Sequence, residues 1–429
     1  QLVSIMTAQP PVIHRGIVKQ VLSGDTVVIR GQPRNGPPPE RTMCLSNVTA
    51  PKLARRPNPN MDQSQDNKDQ PFAWEAREFL RKKLIGKEVS FTVEYKPPGA
   101  GREYGFIFLG KDSTAENITE TMVAEGLVEL RKLGGPKDES KQLLVGLEDV
   151  AKAAGKGIWA PKEELDKHVR NVTWSHDNLS HLVDSFHKKP VDAVIEHVRD
   201  GCTVRAFLLP SMDYVTVMLS GIKCPMFKIE ADGKSSAEKF AEEAKFFTEV
   251  RLLQREVKIV LESVSNQNVI GSVLHPNGNI AELLTKEGFA RLADWSMGVV
   301  STGPEQLREA EKLAKSKKLR LWQDYEPSKA AVDIKDKNFT GKVIEILNGD
   351  GMNVKLADGT VKKIFLASVR PPRPKVAEPG EDVPKRDPKY RPRPLYDIPY
   401  MYEAREFLRK KLIDKKVNIV VDYIQPKTD

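Results

Sequence analysis

Three stretches of the chain alternate apolar and polar residues around a short polar tip: GIVKQVLSGDTVVIRG from Gly16, AVIEHVRDGCTVRAFL from Ala193 and GKVIEILNGDGMNVKL from Gly341. Alternation at period two puts every second side chain on one face of a strand, and Gly24, Gly201 and Gly349 at the tips suit tight turns between paired strands. Each stretch therefore predicts a β-hairpin. Each then runs into a short apolar segment ending in or near proline, CLSNVTAP, LSGIKCP and FLASVRPP. Farther along, the period lengthens to that of an amphipathic helix, with Phe79, Leu80 and Leu84, or Phe407, Leu408 and Leu412, on the inward side. An alternating strand follows each helix.

Residues 76–95 and 404–423 read AREFLRKKLIGKEVSFTVEY and AREFLRKKLIDKKVNIVVDY, identical at fourteen of twenty positions, and AEEAKFFTEVRLLQREVKIVLE from Ala241 is a weaker third copy. Such self-similarity marks a repeat architecture. MVAEGLVEL from Met122 matches LTKEGFARL from Leu284, and the helical stretch ending at Trp159 matches the one ending at Trp322. The third unit stops before either. The order strand, strand, strand, helix, strand, strand, helix, helix predicts an α+β chain of tandem OB-fold, five-stranded β-barrels with packed helices. The expected organisation is residues 10–165 as a first domain, 166–190 as a linker, 191–328 as a second domain and 337–429 as the N-terminal half of a third. ARRPNPNMDQSQDNKDQP and PRPKVAEPGEDVPKRDPKYRPRP have the composition of disordered loops. The opening at Gln1 and the closing strand-like run suggest a piece of a longer protein.

Composition narrows the function. Sixty-eight Lys and Arg against fifty-nine Asp and Glu give a net charge of +9 among 429 residues, which favours polyanionic partners, with acidic proteins as the alternative. No window approaches a membrane-spanning helix, so no membrane partner is expected. Cys44, Cys202 and Cys224 form no CxxC pair, which excludes a disulfide framework and a thiolate zinc site and fits a reducing compartment. The seven histidines have no carboxylate or cysteine companions at ligand spacing, so no metal site is expected of them. Trp159 and Trp322 read as core anchors.

GDTVVIRG followed by LSNVTAP, the REYGFIFLGKD hairpin, VAEGLVEL and the helix ending in GIW resemble the staphylococcal-nuclease-like domain. The tandem copies with AREFLRKKLIGK, IKCP and RPLYDIPYMYEAREFLRKKL resemble the Tudor staphylococcal nuclease family over nearly the whole chain, from about Arg15 to Tyr423. That resemblance implies RNA binding in cytoplasm and nucleus, association with silencing-complex and transcription proteins, decay of small or inosine-containing RNA, and a calcium-dependent nuclease ancestry.

The ancestral chemistry needs carboxylates for calcium, a glutamate to activate water and two arginines for the charged transition state. Aligned on that pattern, the first unit keeps Asp25 but has Ser23, Cys44, Thr49, Lys52 and, near the second arginine, Phe106. The second keeps Asp200 but has Cys202, Met218, Lys223, Met226 and, near the second arginine, Val269. The third keeps Asp350 beside Met352, Phe365, Arg370 and Arg373. Asp25, Asp200 and Asp350 are thus vestigial, no catalytic set is intact, and no cofactor is expected; calcium enters only if a nuclease function survives. Lys52, Lys223, Arg370 and Arg373 make cationic what a calcium site would make anionic. With the helix cations Arg81, Lys82, Lys83, Arg409, Lys410 and Lys411, predicted to face outward, they are the RNA-contact candidates. The expected function is an RNA-binding scaffold, for structured or double-stranded RNA because aromatics are few on the candidate strands. The alternatives are a calcium-dependent endoribonuclease and a protein-interaction scaffold docking acidic partners.

Overall fold

A computed structural model of the chain describes residues 12–32, 37–57, 67–131, 139–229, 235–301, 303–326, 338–367, 369, 371 and 394–422. The chain divides into two compact units, Gln1–Tyr325 and Glu326–Asp429, and each is described by itself.

The first unit holds two barrels. In the first, β1 (His14–Ser23), β2 (Thr26–Arg30) and β3 (Glu40–Leu45) form a meander. After α1 (Ala73–Leu84) come β4 (Glu88–Phe91), β5 (Arg102–Gly105) and β6 (Ile107–Leu109). The strand order is β5-β3-β2-β1-β4-β6, with β3 and β5 parallel. The ring is completed through Phe106, which separates β5 from β6 and accepts a hydrogen bond from Thr92 N at 3.0 Å. Helices α2 (Ile118–Ala124) and α3 (Glu139–Ala153) follow.

The second barrel repeats this plan after α4 (Leu179–Ser185), with β7 (Val191–Asp200), β8 (Thr203–Leu208), β9 (Asp213–Leu219), α5 (Ala241–Leu252), β10 (Glu256–Ser265) and β11 (Asn268–His275). Here five strands close fully, because β9 and β11 pair in parallel at Val217 and Val269. Helices α6 (Ile280–Lys286) and α7 (Pro304–Ser316) complete it. The segment expected as a linker contributes to this domain: Leu179 and Val183 of α4 are buried in its core.

Repeat-equivalent devices hold both barrels. The register shifts between Val18 and Gln20 and between Val21 and Ser23 recur between Ile195 and His197 and between Val198 and Asp200. Such bulges bend the long strand, as closure requires. Gly24 lies so close to α1 that a Cβ would come 2.7 Å from the Ala76 methyl, and at Gly201 one would come 2.9 Å from that of Ala244. The hairpin tip therefore rests on the helix only without a side chain. Glu148 of α3 accepts from Leu130 N at 2.9 Å and from Lys152 at 2.6 Å, and Glu311 of α7 accepts from Leu292 N at 2.9 Å and from Lys315 at 2.6 Å. Lys152 and Lys315 also cap the indoles of Trp159 and Trp322 at 4.4 and 4.5 Å. Trp322 is buried.

The second unit carries β12 (Asn338–Ile346), β13 (Gly351–Lys355), β14 (Val361–Phe365), α8 (Met401–Leu412) and β15 (Lys416–Val420) in sheet order β14-β13-β12-β15. This is the first four-strand portion of the barrel plan, with a small core of Val343, Ile346, Met352, Val354 and Leu408. No helix among the described residues is long and apolar enough to cross a membrane.

Candidate nucleic-acid interface

The hairpin tips take equivalent places in all three repeats. Leu45 N donates to Asp25 O, Leu219 N to Cys202 O and Leu366 N to Asp350 O, each at 2.8 Å. Asp25, Cys202 and Asp350 thus share one position.

In the first barrel, Asp25 is consumed by its own turn. Its Oδ1 accepts from Ser23 Oγ at 2.6 Å and Thr26 Oγ1 at 2.9 Å, and its Oδ2 accepts from Ala50 N at 3.1 Å. At the second metal-carboxylate position, Thr49 Oγ1 accepts from Arg131 Nε at 2.9 Å, and the same Nε reaches Val48 O at 2.8 Å. A guanidinium therefore stands where calcium would need an oxygen anion. Lys52, three residues on, is exposed.

In the second barrel, Asp200 Oδ1 accepts from Cys202 N at 2.9 Å, and Cys202 Sγ accepts from Cys224 N at 3.4 Å. Burial pushes the Cys224 thiol well up, and the two buried cysteines occupy the floor of the site. At the rim Lys223 pairs in register with Arg291 across two short antiparallel strands, and both are exposed. Sequence patterns do not point to Arg131 and Arg291, because each sits in or just after a short strand about 70–80 residues downstream of the motif it joins. Their signal is only the basic residue beside the leucine of VEL and ARL.

In the third repeat, Asp350 is buried. Its Oδ1 has no hydrogen-bond partner, while its N–H donates to Asn348 Oδ1 at 3.1 Å. Arg370 and Arg373 lie outside the described residues, as do positions 58–66 and 372–393 of the two loops expected to be disordered. Calcium does not fit these donor sets. Among the described residues, no three His, Cys, Asp or Glu side chains converge to hold a metal ion.

The helix cations divide. Lys82, Arg409, Lys410 and Lys411 are exposed, and Lys83 is half-buried in a 2.8 Å ion pair with Glu116. Arg81 departs from the outward face expected of it. It is buried between the two barrels, donating to Gln254 O at 2.9 Å, Glu78 at 2.7 Å and Glu256 at 2.8 Å. Its neighbour one turn back, Arg77, donates to both oxygens of Glu196 at 2.6 Å. Lys19 meets Glu249 at 2.8 Å, and Trp74 meets Phe207 edge-on at 5.7 Å. The apolar stripe of the helix carries no sign that its other side faces a second barrel.

Two barrels of one topology, each followed by the same order of helices, define a tandem nuclease-type OB protein. A family model described as staphylococcal nuclease homologue matches residues 42–161 and 216–324, and the chain belongs to that family. It is 55% identical to Staphylococcal nuclease domain-containing protein 1 of Drosophila melanogaster over 419 residues, 96% of this chain and 45% of that protein. It is 35% identical over 95% of its length to Ribonuclease TUDOR 1 of Arabidopsis thaliana, of which it covers 45%. Against Staphylococcal nuclease domain-containing protein 1 of Schizosaccharomyces pombe it is 30% identical, over 96% of this chain and 44% of that protein. The chain thus spans less than half the length of these relatives.

Proposed function

We propose that the chain is an RNA-binding scaffold in which the former metal corners grip backbone phosphates directly. The observation that carries this reading is the pairing of Lys223 with Arg291 at the rim of a site whose floor is two buried thiols. Fixed cations with no carboxylate between them attract a phosphodiester and repel calcium. Lys52 and Arg131 bring cations to the first barrel's corner as well, although Glu129 there stands in register with Thr49, and the exposed Lys82, Lys410 and Lys411 add phosphate contacts. A structured or double-stranded RNA suits contacts of this kind, which follow backbone shape and not base identity. Silencing-complex and transcription partners, and residence in cytoplasm and nucleus, belong to the same proposal.

Affinity for a short RNA duplex should fall linearly on a log–log plot against salt. Lys223→Glu with Arg291→Glu should flatten that slope by roughly one unit for each phosphate no longer neutralised. A slope unchanged by these substitutions, or affinity indifferent to salt, rejects the proposal.

A second reading rests on the names of the Arabidopsis relatives, which are ribonucleases. If this chain also cleaves RNA with calcium, chelator must stop cleavage and Asp25→Ala or Asp200→Ala must remove it.

A further inference from the structure

On the outer wall of the second barrel, β7 and β8 set a histidine directly opposite an arginine. His197 and Arg205 are register partners, and like charges facing each other across an antiparallel pair oppose folding. The other repeats avoid this arrangement. The same register position holds Gln20 and Val28 in the first barrel, and in the third repeat Glu345 and Asn353, joined by a 2.7 Å hydrogen bond. The barrel plan therefore does not require cations there.

The pair belongs to a longer stripe. Lys245 of α5 and Lys19 of β1 join Arg205 in placing positive charge on His197. Lys245 lies over the ring of Phe227 at 5.6 Å, and Arg205 hydrogen-bonds the Tyr214 side chain, over which Arg56 of the first barrel stands at 5.8 Å. Arg199, the next outward residue of β7, is exposed, as are His197 and Arg56. The carboxylates bordering the stripe are engaged, Glu196 with Arg77 at 2.6 Å and Glu249 with Lys19 at 2.8 Å. Burial of part of the ring, and after it the charges of Arg205, Lys245 and Lys19, hold the His197 imidazole below its ordinary value of 6.5. At neutral pH it is thus a largely uncharged group among cations.

We infer that this stripe, from Lys245 through His197 and Arg205 to Arg56, is an RNA-backbone site in addition to the Lys223–Arg291 corner, and that a phosphate seated on it draws a proton onto His197. The inference rests on the RNA-binding reading above and adds a site and a pH dependence to it. The occupant follows from charge and extent. A small anion would engage one or two of these groups, whereas a chain of phosphates can follow the stripe from one barrel to the other, and its charge relieves the repulsion between facing cations. Proton linkage gives the sign. An anion beside His197 raises its pKa above that of the free protein, so affinity is greater below the free-state pKa and declines as pH rises through the bound-state one.

The first barrel supplies the variants, because His197→Gln and Arg205→Val copy its Gln20 and Val28 and suit the same strand pairing. At fixed ionic strength the 429-residue chain should bind a short RNA duplex roughly threefold or more tightly at about pH 5.5 than at about pH 8. His197→Gln should abolish most of that gain. Arg205→Val should weaken binding at both pH values and lower the salt slope by about one unit, and Lys223→Glu with Arg291→Glu should leave the His197-dependent gain in place. If the parent and His197→Gln gain equally while binding stays salt-dependent, the stripe is overturned and the RNA-scaffold reading stands. If the parent shows no salt-dependent RNA binding at either pH, that reading falls and the stripe with it. A His197-dependent gain seen with poly-glutamate and not with the duplex would overturn the RNA assignment in favour of an acidic protein partner.

Discussion

Gln254 serves as a strand neighbour for Val21. Its Oε1 accepts from Val21 N at 2.6 Å and its Nε2 donates to Val21 O at 2.8 Å. One amide side chain thereby satisfies both backbone groups of a residue in the other barrel. Gln254 sits at φ 55°, where its repeat-equivalents are Gly86 at φ 75° and Asp414 at φ 66°. The turn after the helix demands the left-handed region everywhere, and here it also aims a side chain across the domain boundary.

Replacing Gln254 tests that joint. Gln254→Gly relieves the backbone but strips Val21 N of its partner and leaves Val21 O only the 3.4 Å contact of Arg77, and it should cost roughly 2 kcal/mol in denaturant unfolding, as an unpaired buried amide does. A variant as stable as the parent would show that the backbone strain outweighs the two hydrogen bonds.

Arg77 is buried against the half-buried Glu196, so removing one partner should be worse than removing both. Arg77→Met leaves the Glu196 carboxylate without its counter-ion and should destabilise by about 3 kcal/mol, and Arg77→Met with Glu196→Gln should recover most of the loss. Additive losses in the double-mutant cycle would mean that the two side chains do not interact.

At the first hairpin tip, the prediction separates a turn from a metal site. Asp25→Ala should lower stability by about 1–2 kcal/mol through the three hydrogen bonds it removes, identically with calcium and with chelator. A calcium-dependent rise in the parent's melting temperature that vanishes in Asp25→Ala would contradict it.

Glu103 gives the pH signature. A hydrogen bond from Arg41 at 2.7 Å, with Lys96 at 3.1 Å, holds its carboxyl below its ordinary value of 4.5. A carboxyl whose pKa is depressed by folding contributes stability above its unfolded pKa and loses it as pH falls through the folded one. The melting-temperature difference between the parent and Glu103→Gln should therefore be present at neutral pH and close as pH drops below about 4.5. A difference that persists into strong acid would assign the effect to packing.

Much is legible in one dimension. Period-two hairpins with Gly24 and Gly201 at their tips and the helix repeat at Ala76 and Ala404 depend on near neighbours along the chain. Arg81 shows where that stops. Helical spacing separates an apolar side from a polar one but cannot distinguish water from a second protein surface, so a guanidinium in an inter-barrel ion pair reads as solvated. Arg131 and Arg291 escape sequence reading for a related reason, since strand pairing brings each to a site far upstream in sequence.

The amino-acid order by itself determined the repeat and the barrel plan, because these are written in local periodicity and residue type. Only the tertiary structure decided which cations stay free and which hold barrel to barrel. Partner identity for a charged side chain is set by contacts between residues more than a hundred positions apart, such as Arg77 and Glu196, and no local pattern encodes that distance.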